Sequence, residues 1–171
     1  MYLNYALVRD VKFPDRSHWS DAGIDFYIPK FSKEFLDDLK GINEELTLSS
    51  KKDKENFFYI GVNDNVTVPS GVKVEIPPGY MGLFLNKSGV ASKRNIVMGA
   101  QVIDPYYSGE VHLDLHNVGN RPAKVRESDK ITQMVLVPIS HCQLSLTDEE
   151  NLYLDYTSEE FRNERGFGST G

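Results

Sequence analysis

Residues Asn65–Leu85 read "NVTVPSGVKVEIPPGYMGLFL", and this stretch decides the fold. Apolar side chains alternate with polar ones, as in a strand with one face on a core. The alternation breaks at "VPSG" and again at "IPPGY". Proline shortly before glycine suits type II turns, where the glycine takes a positive φ. Three short strands joined by tight turns are therefore expected here. The same reading extends to "YALVRDV", "EVHLDLHNVG", "PAKVRES" and "QMVLVPISHCQLSL". Many short strands at close spacing predict an all-β, jelly-roll-like domain rather than alternating strand and helix units.

One segment has another period. In "FSKEFLDDLKGINEEL", Phe31–Leu46, the residues Phe31, Phe35, Leu36, Leu39, Ile42 and Leu46 recur at helical spacing. Ser32 suits an N-cap and Glu34 the first turn. Gly41 weakens the helix late in its course. The mixed-charge run "SSKKDKENFF" after it reads as a loop. Residues 29–58 are thus expected to be a helical and loop insertion in a single domain of 1–171, with residues 157–171 as a C-terminal arm. A protein partner at the insertion is a further expectation, resting on the apolar face of its helix.

The chain has 171 residues and a net charge of −6, so no nucleic-acid partner is expected and an anion must be held by local donors. No apolar run approaches the roughly 20 residues of a membrane span, and no signal peptide is expected at the start. The single cysteine, Cys142, excludes an internal disulfide; the alternation of "SHCQLSL" predicts a buried or half-buried structural thiol. A cytoplasmic location is expected.

Five stretches stand apart as carriers of chemistry. "SDAGIDFYIP" sets Asp25 beside a small Ala22-Gly23 pair. "NKSGVAS" puts Lys87, Ser88 and Gly89 in a row: a cation, a hydroxyl and a glycine that lets backbone amides approach an anion. It is no Walker A motif, because the spacing differs. "QVIDPYYSGEVHLDLHN" places Asp104 at the end of an apolar strand, ahead of a hairpin containing Pro105, Tyr106, Tyr107 and Gly109. "ESDKITQMVLVP" holds Gln133 inside an apolar strand. "ERGFGSTG" ends the chain with glycines around one aromatic ring.

In this order, the five stretches resemble the trimeric dUTPase family. The resemblance implies hydrolysis of dUTP to dUMP and pyrophosphate, which limits uracil in DNA and supplies dUMP for dTMP synthesis. It implies Mg²⁺ on the triphosphate, with Asp25 reaching the ion through water, and a homotrimer with shared active sites. By the same resemblance Asp104 activates the attacking water, and Tyr107 packs on the deoxyribose and leaves no room for a 2′-hydroxyl. The backbone around Tyr107 pairs with the uracil edge, and Val102 and Gly109 belong to the substrate-binding set. Lys87, Ser88, Gly89 and Gln133 contact phosphate. In the arm, Phe167 stacks on uracil while Gly168, Ser169 and Thr170 donate to phosphates. Either Arg162 or Arg165 meets the γ-phosphate. A viral source would place the enzyme in host cytoplasm.

Departures from the family pattern are Lys87 in place of arginine, Gln101 in place of glycine, and Met98 where some relatives have asparagine. A related dCTP deaminase is disfavoured by Asp114 and Ser92, where deaminases carry glutamate and arginine. A zinc hydrolase is disfavoured because "HLDLH" alternates as a strand with one polar face. A purely regulatory binding module is the reading from a different class, and it would depend on the insertion helix.

Overall fold

The computed structural model describes residues 1–43, 46, 48–50 and 56–153. Twelve strands and two helices occur among them: β1 (Asn4–Leu7), β2 (Ile24–Tyr27), α1 (Lys33–Ile42), β3 (Leu48–Ser50), β4 (Asn56–Ile60), β5 (Asn65–Pro69), β6 (Val72–Glu75), β7 (Tyr80–Asn86), α2 (Ser88–Arg94), β8 (Ile96–Met98), β9 (Val102–Ile103), β10 (His112–Asn117), β11 (Ala123–Arg126) and β12 (Lys130–Pro138). They pair antiparallel into four small sheets, ordered β1-β6, β5-β10-β8, β11-β4-β3 and β2-β12-β7-β9. The all-β expectation is met.

The opening stretch yields β5, β6 and β7, and both turn glycines have positive φ, 76° at Gly71 and 80° at Gly79. Between the strands lies a core containing Phe26, Phe58, Phe84, Leu113, Leu115 and Met134, all buried. The Phe26 and Phe84 rings meet edge to face at 5.0 Å, the geometry that aromatic quadrupoles favour.

α1 begins as its sequence predicts: the Ser32 hydroxyl accepts from the Phe35 amide at 3.1 Å. The helix passes through Gly41 and stops at Ile42, short of Leu46. Phe35 and Leu39 are fully buried, and Leu36 packs on the same core; Ile42 is exposed. Phe31 stacks between Phe35 and Phe58, at 5.3 and 5.9 Å. Apart from Ile42, the apolar face that motivated a protein partner is thus turned inward. The end of the segment expected as an insertion, 29–58, overlaps a strand. Asn56–Ile60 is β4, paired with β11, and its Phe57, Phe58 and Ile60 are buried.

Two compact units emerge, Met1–Ser140 and a second that begins at His141. All sheets among the described residues lie in the first. The described residues of the second contain a single 3-10 turn at Glu149–Asn151. The strand expected over "SHCQLSL" is not formed, and Cys142 is exposed rather than buried. Alternation marks a segment fit to be a strand, but pairing needs a neighbour, and none is present among the described residues.

Candidate active site

β2, β12 and β7 lie side by side, and their registers bring three of the five stretches together. Gln133 stands opposite Asp25 on one side and Leu85 on the other. Its amide donates to the Asn86 carbonyl at 3.0 Å, directly before Lys87. Gly23 makes this placement possible: a Cβ there would overlap the Gln133 Oε1 and come within 2.7 Å of its Cδ.

Asp25 is buried, yet its carboxylate is surrounded by donors. Lys87 pairs with Oδ1. Lys130 Nζ reaches Oδ2 at 2.7 Å, and the Ser17 hydroxyl reaches the same oxygen at 3.2 Å. Burial alone would push the Asp25 carboxyl up, but hydrogen bonds from Lys130 and Lys87 outweigh it and hold it below the usual carboxylate range. Lys130 is raised above the ordinary lysine value, chiefly by its hydrogen bond to Asp25.

Sequence reading missed Lys130 for a geometric reason. Lys130 and Gln133 are three residues apart, which on a regular strand places them on opposite faces. The register of β12 against β2 shifts between Lys130 and Thr132, and this irregularity brings both toward Asp25.

Lys87 is the N-cap residue of α2, and Ser88 and Gly89 form its exposed first turn. Amides at the head of a helix have no intrahelical acceptor and face an incoming anion. Val90 packs this short helix inward.

The Asp104–Gly109 loop lies elsewhere. β9 pairs with β7, with Ile103 opposite Gly82, whereas β10 pairs with β5 and β8. No ladder joins β9 to β10 among the described strands, so the expected hairpin is a loop passing between two sheets. Asp104 and Pro105 open a turn that Tyr107 closes, its amide donating to the Asp104 carbonyl at 3.3 Å. Tyr106 takes the left-handed position, φ 68°. Asp104 and Val102 are exposed, and Tyr107 is 44% exposed. The Tyr107 ring folds over Gly109, where a Cβ would come within 2.6 Å of Cζ, and its hydroxyl donates to the Glu110 carbonyl at 3.0 Å. Gly82 is five residues before Lys87 on β7, roughly 17 Å at strand rise. The Asp104 loop and the Lys87–Gln133 cluster are therefore separate within one chain.

Gln101 fits without strain. Its carbonyl accepts from the Phe84 amide at 2.8 Å, and it is not among the described non-glycine residues with positive φ. On β10 the polar face is present as expected, with Asp114 accepting from Asn65 and from the Ala100 amide and lying 3.0 Å from His116 Nε2. Arg162, Arg165, Phe167, Gly168, Ser169 and Thr170 lie outside the described residues.

The dUTPase family model matches residues 48–171, well over half of the chain. The chain belongs to the dUTPase family. A deoxyuridine 5′-triphosphate nucleotidohydrolase of Wolbachia pipientis wMel is 34% identical over 123 residues, covering 66% of this chain and 77% of its own. Another from Desulfitobacterium hafniense strain DSM 10664 / DCB-2 is 38% identical over 109 residues, covering 62% and 68%. Among solved structures, a mutant dUTPase of Staphylococcus bacteriophage 80alpha with dUpNHpp superposes with a TM-score of 0.74. It covers 99% of this chain and 98% of that one at 22% identity, a likeness of fold. A mutant dUTPase from phage phi11 of S. aureus, described with a structural Mg(II) ion, gives a TM-score of 0.66 at 22% identity. That match covers 87% of this chain and 98% of the other. The dUTPase family match starts at Leu48, so α1 and Asp25 precede it.

Proposed function

We propose that this chain hydrolyses dUTP to dUMP and pyrophosphate. The observation that carries the assignment is the meeting of Lys87, Ser88 and Gln133 at one end of the β2–β12–β7 sheet, in a chain of the dUTPase family. An ammonium, a hydroxyl, a side-chain amide and helix-head amides form a donor set suited to a triphosphate.

In this reading Asp104 takes a proton from the water that attacks the α-phosphorus. Ser88 donates to the oxygens where charge builds as pyrophosphate leaves, and Gln133 holds a phosphate oxygen. Tyr107 lies on the sugar, and Val102 and Gly109 belong to the substrate-binding set. Phe167 with Gly168, Ser169 and Thr170 closes over the nucleotide, and Arg162 or Arg165 meets the γ-phosphate.

Mg²⁺ is the cofactor of this reading. No group of three His, Cys, Asp or Glu side chains fit to hold a metal occurs among the described residues. The inner ligands would then be phosphate oxygens and water, and Asp25 would accept from such a water once Lys87 turns to the triphosphate. When bound, the ion supplies neutralisation of phosphate charge.

The separation along β7 supports a shared site in a homotrimer, because Asp104 of one chain must meet phosphates held by another. The exposed Leu144 and Leu146 supply apolar surface for assembly. No helix of the described residues is long and apolar enough to cross a membrane; the enzyme is assigned to the cytoplasm, with its product entering thymidylate synthesis.

The deciding experiment offers dUTP, dCTP, dTTP and UTP separately to purified protein with Mg²⁺ and follows pyrophosphate and ammonia. Pyrophosphate from dUTP alone is expected. Ammonia from dCTP, or no product at all, overturns the assignment.

A further inference from the structure

The Asp104–Gly109 loop is held on one side by β9. Its other side runs into Glu110, a group that the reaction itself does not use. The Arg9 guanidinium forks onto the Glu110 carboxylate, Nε to Oε1 at 2.8 Å and a terminal nitrogen to Oε2 at 2.9 Å. That terminal nitrogen also donates to Asp38 on α1 at 2.7 Å. The Arg9 and Glu110 side chains are only 14% exposed, so the pair is largely shielded from water. Glu110 Oε1 accepts as well from the Gly71 amide at 2.7 Å, which ties the carboxylate to the β5–β6 turn.

Glu110 then passes this fixation to the loop. Its carbonyl accepts from the Tyr107 hydroxyl at 3.0 Å and lies 2.9 Å from His112 Nδ1. A continuous chain of polar contacts thus runs from Asp38 on the insertion helix, through Arg9 and Glu110, to the ring of Tyr107. The residues joined are 29 and 101 positions apart in sequence. Without the fork, the Glu110 carboxylate would keep, among the described residues, the Gly71 amide as its hydrogen-bond donor. A bidentate guanidinium–carboxylate pair fixes angle as well as distance, which a single contact does not.

We propose that Arg9 and Glu110 are positioning residues for substrate selection, setting the angle at which Tyr107 meets the sugar, and that Asp38 makes the insertion helix part of this support. The inference rests on the reading of Tyr107 as the residue against the deoxyribose. The ring is 44% exposed, so its angle to the sugar rests on the contacts that hold it. Discrimination by shape is therefore more sensitive to the support than the chemical step, which involves other groups.

The test measures kcat and KM for dUTP and UTP in Arg9→Met, Glu110→Gln and Asp38→Asn, with folding checked by circular dichroism. Arg9→Met is expected to raise KM for dUTP about 10-fold with kcat changed less than about 3-fold, and to lower the dUTP preference over UTP at least about 10-fold. Asp38→Asn shifts the same quantities less, because the fork remains. Glu110→Gln is nearly isosteric and keeps an acceptor for Gly71, so it serves if Arg9→Met does not fold. In a Tyr107→Phe background, which lacks the hydroxyl link, Arg9→Met should add little further loss of selectivity. Unchanged selectivity in a folded Arg9→Met or Glu110→Gln enzyme overturns the proposal. So does full additivity with Tyr107→Phe. A parent protein inactive on dUTP would instead overturn the functional assignment.

Discussion

A Cβ on residue 23 would stand 2.7 Å from Cδ of Gln133, so the glycine of one motif makes room for the glutamine of another. Gly23→Ala must displace Gln133 from the Asn86 carbonyl. Activity should fall about 10- to 100-fold, the range expected when a phosphate-positioning group moves by an ångström. Steady-state kinetics on dUTP check this, and a normal rate would mean that Gln133 is free to move.

Asp25→Asn leaves Lys87 and Lys130 without their shared counter-ion. Removing one partner of a buried pair costs roughly 3–5 kcal/mol. Both lysines are partly exposed, so about 1–3 kcal/mol is expected, read from urea unfolding at pH 7. The folded carboxyl lies below its ordinary value. Its contribution is therefore complete above the unfolded value near 4 and is lost as pH falls through the folded one. The gap between parent and variant should close below about pH 4. A gap constant from pH 7 to pH 2 would rule out the ionic origin.

Asp104→Asn should reduce turnover by about 10²- to 10⁴-fold while a non-hydrolysable dUTP analogue still binds. Calorimetry and a pyrophosphate assay separate the two effects. Retained turnover would remove Asp104 as the base.

Phe35→Ala, in the buried face of α1, should cost about 3–5 kcal/mol of stability. Ile42→Ser, on the exposed side of the same helix, should stay within about 0.5 kcal/mol. Similar losses for both would mean that a second surface covers Ile42.

Much of this was legible in the sequence because strand period, turn glycines and the Ser32 cap are local signals. The helix, the turns at Gly71 and Gly79, and the polar face of β10 all follow from spacing. What was not legible depends on tertiary neighbours. Cys142 alternates like a strand residue but has no pairing strand among the described residues. Phe57 and Phe58 sit in a charged run yet complete a sheet with β11. Lys130 joins Asp25 only because β12 is irregular. Arg9 and Glu110 are 101 residues apart, and neither carries a motif that points to the other.

The place of Ile103 opposite Gly82, five residues short of Lys87, has a genetic consequence. If each active centre takes Asp104 from one chain and Ser88 from another, two inactive chains can repair each other. Protein carrying Asp104→Asn, unfolded and refolded together with protein carrying Ser88→Ala, would form mixed assemblies. Some centres in them draw both intact residues from different parents, so activity returns from a mixture of two dead enzymes.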